Sequence, residues 1–237
     1  GAIGSALLSY DKKISLKSFQ NPYLGLRKNN RNELIPFLNK KNLKFIEYSN
    51  YKKINKKLVS LLVKKKIIAV FRDNMEFGSR ALGNTSILCD PRLTDAKKMI
   101  NSKVKLRENF RPFAPSILES DVKNWFNTSI KSPYMSFVAK FKNKKKSLVP
   151  AVCHIDQTGR LQTVSKKLNP SFYDLLNEFK KKTKVPILLN TSFNENEPIV
   201  DNQLRAIETF LRTSLDFLVI SNFLISSKWR PVVGSSS

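Results

Sequence analysis

Two short clusters of cations in this sequence could hold an anion. Gly78-Ser79-Arg80-Ala81-Leu82-Gly83 sets one arginine between glycines, and glycine lets backbone N–H groups come close to an oxyanion. Lys105-Leu106-Arg107-Glu108-Asn109-Phe110-Arg111-Pro112-Phe113-Ala114-Pro115 sets three cations within seven residues and stiffens them with two prolines. Lysine and arginine on a stiff segment can grip a phosphate at two points, which a floppy charge run cannot do. Phe77, Leu82, Phe110 and Phe113 alternate with these charges, so both clusters are expected to lie against a core. A cation held there needs a partner, because an unpaired buried charge is costly. The competing reading is a set of solvated cations on a basic surface.

Two later stretches could add polar groups. Asp156, Arg160 and Gln162 alternate with apolar residues, which predicts a shared polar face. Asn190-Thr191-Ser192-Phe193-Asn194 follows an apolar run at 186–189. The C-terminal end of a buried strand is where α/β sheets place ligand-binding loops; a polar turn with no ligand is the alternative. His154 is the only histidine, and Cys89 and Cys153 are the only cysteines. That set makes neither a disulfide framework nor a zinc site. Both thiols have apolar neighbours and are expected buried and reduced, with a cytoplasmic setting as the default.

The elements that must position these residues are read from periodicity. Helices are predicted over 31–39, 52–65, 94–102, 121–126, 171–182 and 202–213, with Thr94, Asp121 and Asp201 as caps. Ile54, Leu58, Leu61 and Leu62 make one apolar face of the second. Strands are predicted over 43–48, 67–71, 86–89, 134–141, 186–189, 216–220 and 223–226. Residues 150–164 predict two more strands around a turn at 157–159. Lysines at 142–146 are expected as a solvated hairpin tip, with nucleic-acid contact as the lesser reading. Residues 1–8, rich in small side chains, predict a helix packed closely on a neighbour, and 234–237 a disordered tail. The mixture predicts an α/β (α+β) fold. No GxGxxG follows a strand and no GK[ST] loop is present, which excludes a dinucleotide or P-loop site.

Composition sets the outer bounds. The chain has 237 residues, 41% of them hydrophobic, enough for a core. No apolar run approaches a membrane span, and no cationic start suggests a signal peptide. Without an initial Met, the sequence is expected to begin partway through a longer chain. The formal net charge of +25 attracts polyanions and nucleotides. Lys, Asn and Ile are nonetheless abundant where no motif occurs, as an AT-rich genome would leave them. Nucleic-acid binding therefore ranks second to small-anion binding.

EFGSRALGN, KLRENFRPFAPS, SPYM, HIDQTGRLQTV, LLNTSFN and EPIV occur in this order. Together, over residues 21–228, they resemble the C-terminal domain of the O-carbamoyltransferases, the family of nodulation protein U and the tobramycin and cephamycin carbamoyltransferases. The resemblance implies a YrdC-like twisted open sheet with flanking helices at 29–228. It implies the remnant of an actin-like domain and a linker at 1–28, and a tail at 229–237.

The resemblance also implies a function. Carbamoyl phosphate and ATP would give carbamoyl-adenylate, for transfer to a hydroxyl of a sugar, antibiotic or polysaccharide. Arg80, Lys105 and Arg111 would be the catalytic phosphate clamp, with Arg107 in support and Arg160 as a further cation. Asn190, Thr191, Ser192 and Asn194 would hydrogen-bond nucleotide or carbamoyl groups, and His154 and Asp156 would belong to the same site. Mg²⁺ is expected with the ATP by analogy, and iron or another divalent metal only in the actin-like domain, with none in this region. That domain is the implied partner, a homodimer is left open, and no membrane or nucleic-acid partner is expected. The family usually has glycine where Asp73 and Gln157 stand, arginine where Thr85 stands, and one more glycine before Glu197. An RNA-binding or tRNA-threonylcarbamoylation module and a degenerate, non-catalytic domain remain the alternatives.

Overall fold

The computed structural model describes residues 2–10, 21–26 and 30–226; the predicted tail at 234–237 lies outside them. Nine strands form one sheet: β1 (Lys44–Glu47), β2 (Ile68–Phe71), β3 (Thr85–Cys89), β4 (Ala114–Leu118), β5 (Phe137–Lys140), β6 (Thr158–Val164), β7 (Ile187–Ser192), β8 (Phe217–Ile220) and β9 (Phe223–Ser226). Their spatial order is β1-β9-β8-β2-β3-β7-β4-β6-β5. β2 runs parallel to β8 and β4 to β6; the other pairs are antiparallel. The apolar runs decide which strands are central. β2, β3 and β4 are buried at every residue, as strands covered on both faces must be. β1 and β5, at the two edges, are mostly exposed.

Among the described residues eight α-helices accompany the strands: α1 (Ala2–Leu8), α2 (Arg31–Lys40), α3 (Tyr51–Val63), α4 (Ala96–Lys103), α5 (Val122–Trp125), α6 (Asn143–Lys146), α7 (Pro170–Thr183) and α8 (Gln203–Arg212). α3 and α7 pack on each other. Both start at an asparagine whose side chain accepts a backbone N–H, Asn50 from Lys53 and Asn169 from Phe172, which satisfies one of the donors a helix start leaves open. α7 also has proline in its first turn and ends at Lys184 in the left-handed conformation. Their apolar faces join the sheet in one core with Leu34, Leu38 and Phe210 from α2 and α8.

Several expectations need correction. Asp95 starts α4 and Asn202 starts α8, not Thr94 and Asp201; the Asn202 carboxamide accepts from Arg205 N at 2.9 Å. Asp121 precedes α5 but gives it no side-chain cap, because its carboxylate pairs with Lys180 at 2.9 Å. The lysines at 142–146 wind into α6 instead of forming a hairpin tip. Residues 150–157 form turns, so the 150–164 stretch supplies β6 alone. The stiff segment that ends at Pro115 runs into a strand, β4, which Pro112 just before it and Pro115 within it argue against. Cys89 is buried, and burial pushes its thiol up to about 12, but Cys153 is only half-buried. In α1, Leu8 is 91% exposed and a Cβ on Gly4 would meet nothing within 4 Å, so no described residue provides the close neighbour.

Backbone conformation explains two departures from the resembled pattern. Asp73 and Gln157 have φ of 54° and 66°, a region that favours glycine. Each is held by a partner. Asp73 accepts from Tyr51 Oη at 3.1 Å and from the Ser171 hydroxyl, and Gln157 accepts from Lys146 Nζ at 3.0 Å. Gly83 has no such freedom. Its φ is +115°, and a Cβ there would sit 2.2 Å from Phe172 Cδ1 on α7. Gly83→Ala should therefore destabilise the fold by roughly 2–4 kcal/mol, from backbone strain and overpacking together. Urea denaturation of the variant beside the wild type measures this.

Candidate functional site

The loop between β2 and β3 is folded around one carboxylate. Glu76 Oε1 accepts from the backbone N–H groups of Leu82 at 2.7 Å, Asn84 at 2.8 Å and Thr85 at 3.1 Å. Gly83 N donates to Ser86 Oγ at 2.9 Å. The N–H groups of Leu82 and Gly83, at the end of the expected anion-binding cluster, are therefore spent on the chain. Wrapping about Glu76 instead turns Ser79 and Arg80 outward.

Below that loop, a buried polar network ties three central strands together. Ser116 on β4 faces Gln162 on β6 in register, and its hydroxyl donates to Gln162 Oε1. Asn190 Nδ2, on β7, lies 3.1 Å from Ser116 Oγ, 3.0 Å from Gln162 Oε1 and 3.2 Å from the Ala81 carbonyl. Gln162 Nε2 donates to the Leu82 carbonyl at 2.7 Å. Two carbonyl oxygens face Asn190 Nδ2, which fixes the amide orientation. Asn190 Oδ1 is then left buried with no partner.

Above the network is a cavity of about 100 Å³ lined by Ser79, Arg80, Arg107, Phe113, Met135, Arg160, Asn190, Thr191 and Ser192 among others. That is room for roughly three waters at about 30 Å³ each, the size of a phosphate or carbamoyl group. Arg107 is held by Asn101 Oδ1 at 2.8 Å, with its guanidinium 5.0 Å from the Phe113 ring centre. Arg160 Nε is buried with no partner. Among the described residues no carboxylate pairs with Arg80, Lys105, Arg107, Arg111 or Arg160. The cations act on one another instead. Burial, then Arg111 and Arg160, hold the Arg107 guanidinium below its ordinary value against Glu108, and burial and Arg80 do the same to Arg160.

The other sequence-predicted residues sit around the cavity. Lys105 does not line it. The residue is 3% exposed, and its ammonium lies against Ser192 O at 2.7 Å, Ser192 Oγ at 3.1 Å, Asn194 O at 2.8 Å and Asn194 Oδ1 at 2.6 Å. It staples the end of β7 from behind. Burial first, then Arg107, push it down to about 7, with Glu197 opposing. Arg111 is exposed and also stands outside the lining, close enough to act on Arg107. Asp156 Oδ1 accepts from Thr158 N at 3.1 Å and Thr158 Oγ1 at 2.7 Å. Thr158 Oγ1 lies 3.3 Å from His154 Nδ1. His154 and Asp156 thus shape the turn that leads into Arg160. Burial is the main cause that keeps the His154 imidazole below its ordinary value.

A second cavity, about 450 Å³, adjoins the first through the shared Ser79 and Ser192. It is walled by Met75, Glu76, Gly78, Asn194, Pro198 and Ile199. Grooves of about 400 Å³ at Lys56, Val59 and Lys182 and about 500 Å³ at Leu43, Leu61 and Leu224 are not lined by any buried unpartnered polar group. In α6, Lys145 lies 4.9 Å from the Trp125 ring centre and Lys146 donates to Gln157, so the chain itself engages half of that basic stretch. Among the described residues no three His, Cys, Asp or Glu side chains converge on a metal position, and no helix is long and apolar enough to cross a membrane. Glu76 and Ser116 were missed as site-building residues, whereas Gln162 falls, as expected, on a polar face with Arg160. The alternation of Arg160 with Gln162 was the one available signal.

Residues 59–227 match the family described as "Carbamoyltransferase C-terminus". Nodulation protein NolO of Bradyrhizobium diazoefficiens is 49% identical over 166 residues, covering 68% of this chain and 30% of that protein. An uncharacterized protein of Synechocystis is 34% identical over 260 residues, covering 98% of this chain and 42% of its own length. Nodulation protein U of Rhizobium tropici is 38% identical over 137 residues, covering 58% and 24%. The chain thus spans less than half the length of these relatives. Among solved structures, Escherichia coli YciO overlaps with a TM-score of 0.49 at 13% identity, covering 72% of this chain and 78% of that one. Full-length HypF in its phosphate- and nucleotide-bound form overlaps with 0.46 at 17%, covering 77% and 22%. The family match over most of the chain makes this protein a member of the carbamoyltransferase C-terminal family.

Proposed function

We propose that this region binds carbamoyl phosphate and ATP and forms carbamoyl-adenylate, which a partner actin-like domain passes to a hydroxyl acceptor. One observation carries the reading. The wall of a small cavity with three arginines and no carboxylate partner has a buried donor, Arg160 Nε, and a buried acceptor, Asn190 Oδ1, both unpaired. A carbamoyl group offers a carbonyl oxygen to the first and an amide N–H to the second, while a phosphate faces the guanidinium groups. Leaving such groups unmatched costs about 1–3 kcal/mol each, so a ligand that pairs them gains affinity and orientation.

In this reading hydrolysis of carbamoyl phosphate gives carbamate and phosphate. A carbamate oxygen then attacks the α-phosphorus of ATP, and the P–O bond to pyrophosphate breaks. Charge crowds on the oxygens in that step, and cations fixed in advance stabilise it without reorganising. The adjoining larger cavity, partly apolar, suits the nucleoside half of the nucleotide. Magnesium would come with the triphosphate oxygens, whose charge it would neutralise. Lys105 keeps the shared wall in place: its three protons satisfy the oxygens of Ser192 and Asn194.

In the full-length protein, pyrophosphate release from ATP should require carbamoyl phosphate. Arg80→Ala and Arg160→Ala should each lower that rate roughly a hundred-fold; wild-type rates in both would defeat the reading. The Lys105 proton sets a pH dependence. As pH rises through about 7 the ammonium becomes an amine, a neutral amine keeps only two protons for four oxygens, and the wall loosens. The KM for carbamoyl phosphate should rise over that interval in the wild type. In Lys105→Met it should be raised throughout and show no such step.

A further inference from the structure

Arg80 is exposed and makes no side-chain hydrogen bond among the described residues, so its place in the cavity wall is set by its backbone. The two carbonyls that follow it are anchored. Asn190 Nδ2 reaches the Ala81 carbonyl at 3.2 Å and Gln162 Nε2 the Leu82 carbonyl at 2.7 Å. A second donor reaches the Leu82 carbonyl from far away in sequence: Tyr23 Oη, at 3.0 Å.

Tyr23 falls in the stretch read as linker, and outside the family match at 59–227. Its ring is nonetheless 7% exposed and packs with Leu82, Ala114 and Met135, and Ala114 and Met135 line the arginine cavity. The backbone on either side is tied to the same loop. Phe77 N donates to the Pro22 carbonyl at 2.7 Å and Gly25 N to the Met75 carbonyl at 2.9 Å. The contact at Gly25 leaves no room for a side chain, since a Cβ would sit 2.9 Å from the Met75 carbonyl oxygen. Residues 22–25 are thus a strap across the loop that carries Arg80.

We propose that Tyr23 is a positioning residue of the anion site: its hydroxyl, with Gln162, clamps the Leu82 carbonyl and so holds Arg80 against the cavity. Burial raises the phenol well above its ordinary value, so the hydroxyl keeps its proton and remains a donor. The inference rests on the anion-binding reading above.

Inorganic pyrophosphate binding to the full-length protein tests it by titration calorimetry. Tyr23→Phe keeps the ring in its apolar seat and removes only the hydroxyl. It should weaken pyrophosphate binding roughly ten-fold, the loss of about one hydrogen bond of net worth, and speed amide exchange at 78–83. In an Arg80→Ala background the same change should have almost no further effect, because the residue acts through Arg80. Equal affinity in wild type and Tyr23→Phe, or an undiminished ten-fold loss without Arg80, would overturn the role of Tyr23 alone. Failure of the wild type to bind pyrophosphate would instead overturn the anion-site reading, and this inference with it.

Discussion

Mutual repulsion among cations is the constraint around which this structure is arranged. Arg80, Arg107 and Arg160 share one small cavity, with Arg111 and Lys105 beside it, and among the described residues no carboxylate forms an ion pair with them. Such a set stays together only if the backbone that carries it is held by other means. The Asn190, Ser116 and Gln162 side chains do this, by tying three central strands to the carbonyls of Ala81 and Leu82. In the proposed reading an entering anion would relieve that repulsion.

Carboxylates in this region serve the fold. Glu76 is occupied by three backbone N–H groups of its own loop, and Asp156 by Thr158. Spending them on the backbone leaves the arginines unneutralised. Thr85, where the resembled pattern has arginine, keeps its hydroxyl buried without a partner next to Glu76. One cation is thereby absent from the loop, but the gathered arginines and their support remain. Asp73 and Gln157 take up left-handed positions that suit glycine, and each replaces lost freedom with side-chain hydrogen bonds.

Much of the fold could be read from the chain. The apolar faces of α3 and α7 and the buried runs of β2 and β3 follow from periodicity and appear close to their expected bounds, whereas β7 runs past its expected end at 189 and takes Asn190, Thr191 and Ser192 into the strand. β4 escaped notice because Pro112 before it and Pro115 within it mask a strand, and α6 because a run of lysines reads equally well as an exposed loop. The caps at Asp95 and Asn202 were misplaced by one residue, since Thr, Asp and Asn all suit that position. Within the site, the arginines and the Asn190–Asn194 stretch were visible as charge and polarity. The role of Lys105 was not, because whether an ammonium faces a ligand or four chain oxygens is a matter of a few ångströms.

The sequence by itself determined the types: which residues are cations, which runs are buried, and which motifs ally the chain with carbamoyltransferases. Those properties are local, or lie in the order of short motifs, and need no long-range contact to be recognised. Tertiary structure alone decided which polar groups were left unpaired. Asn190 meets Ala81 across 109 residues and Tyr23 meets Leu82 across 59. Whether a buried amide or guanidinium finds a partner depends on strands that chain order does not bring together.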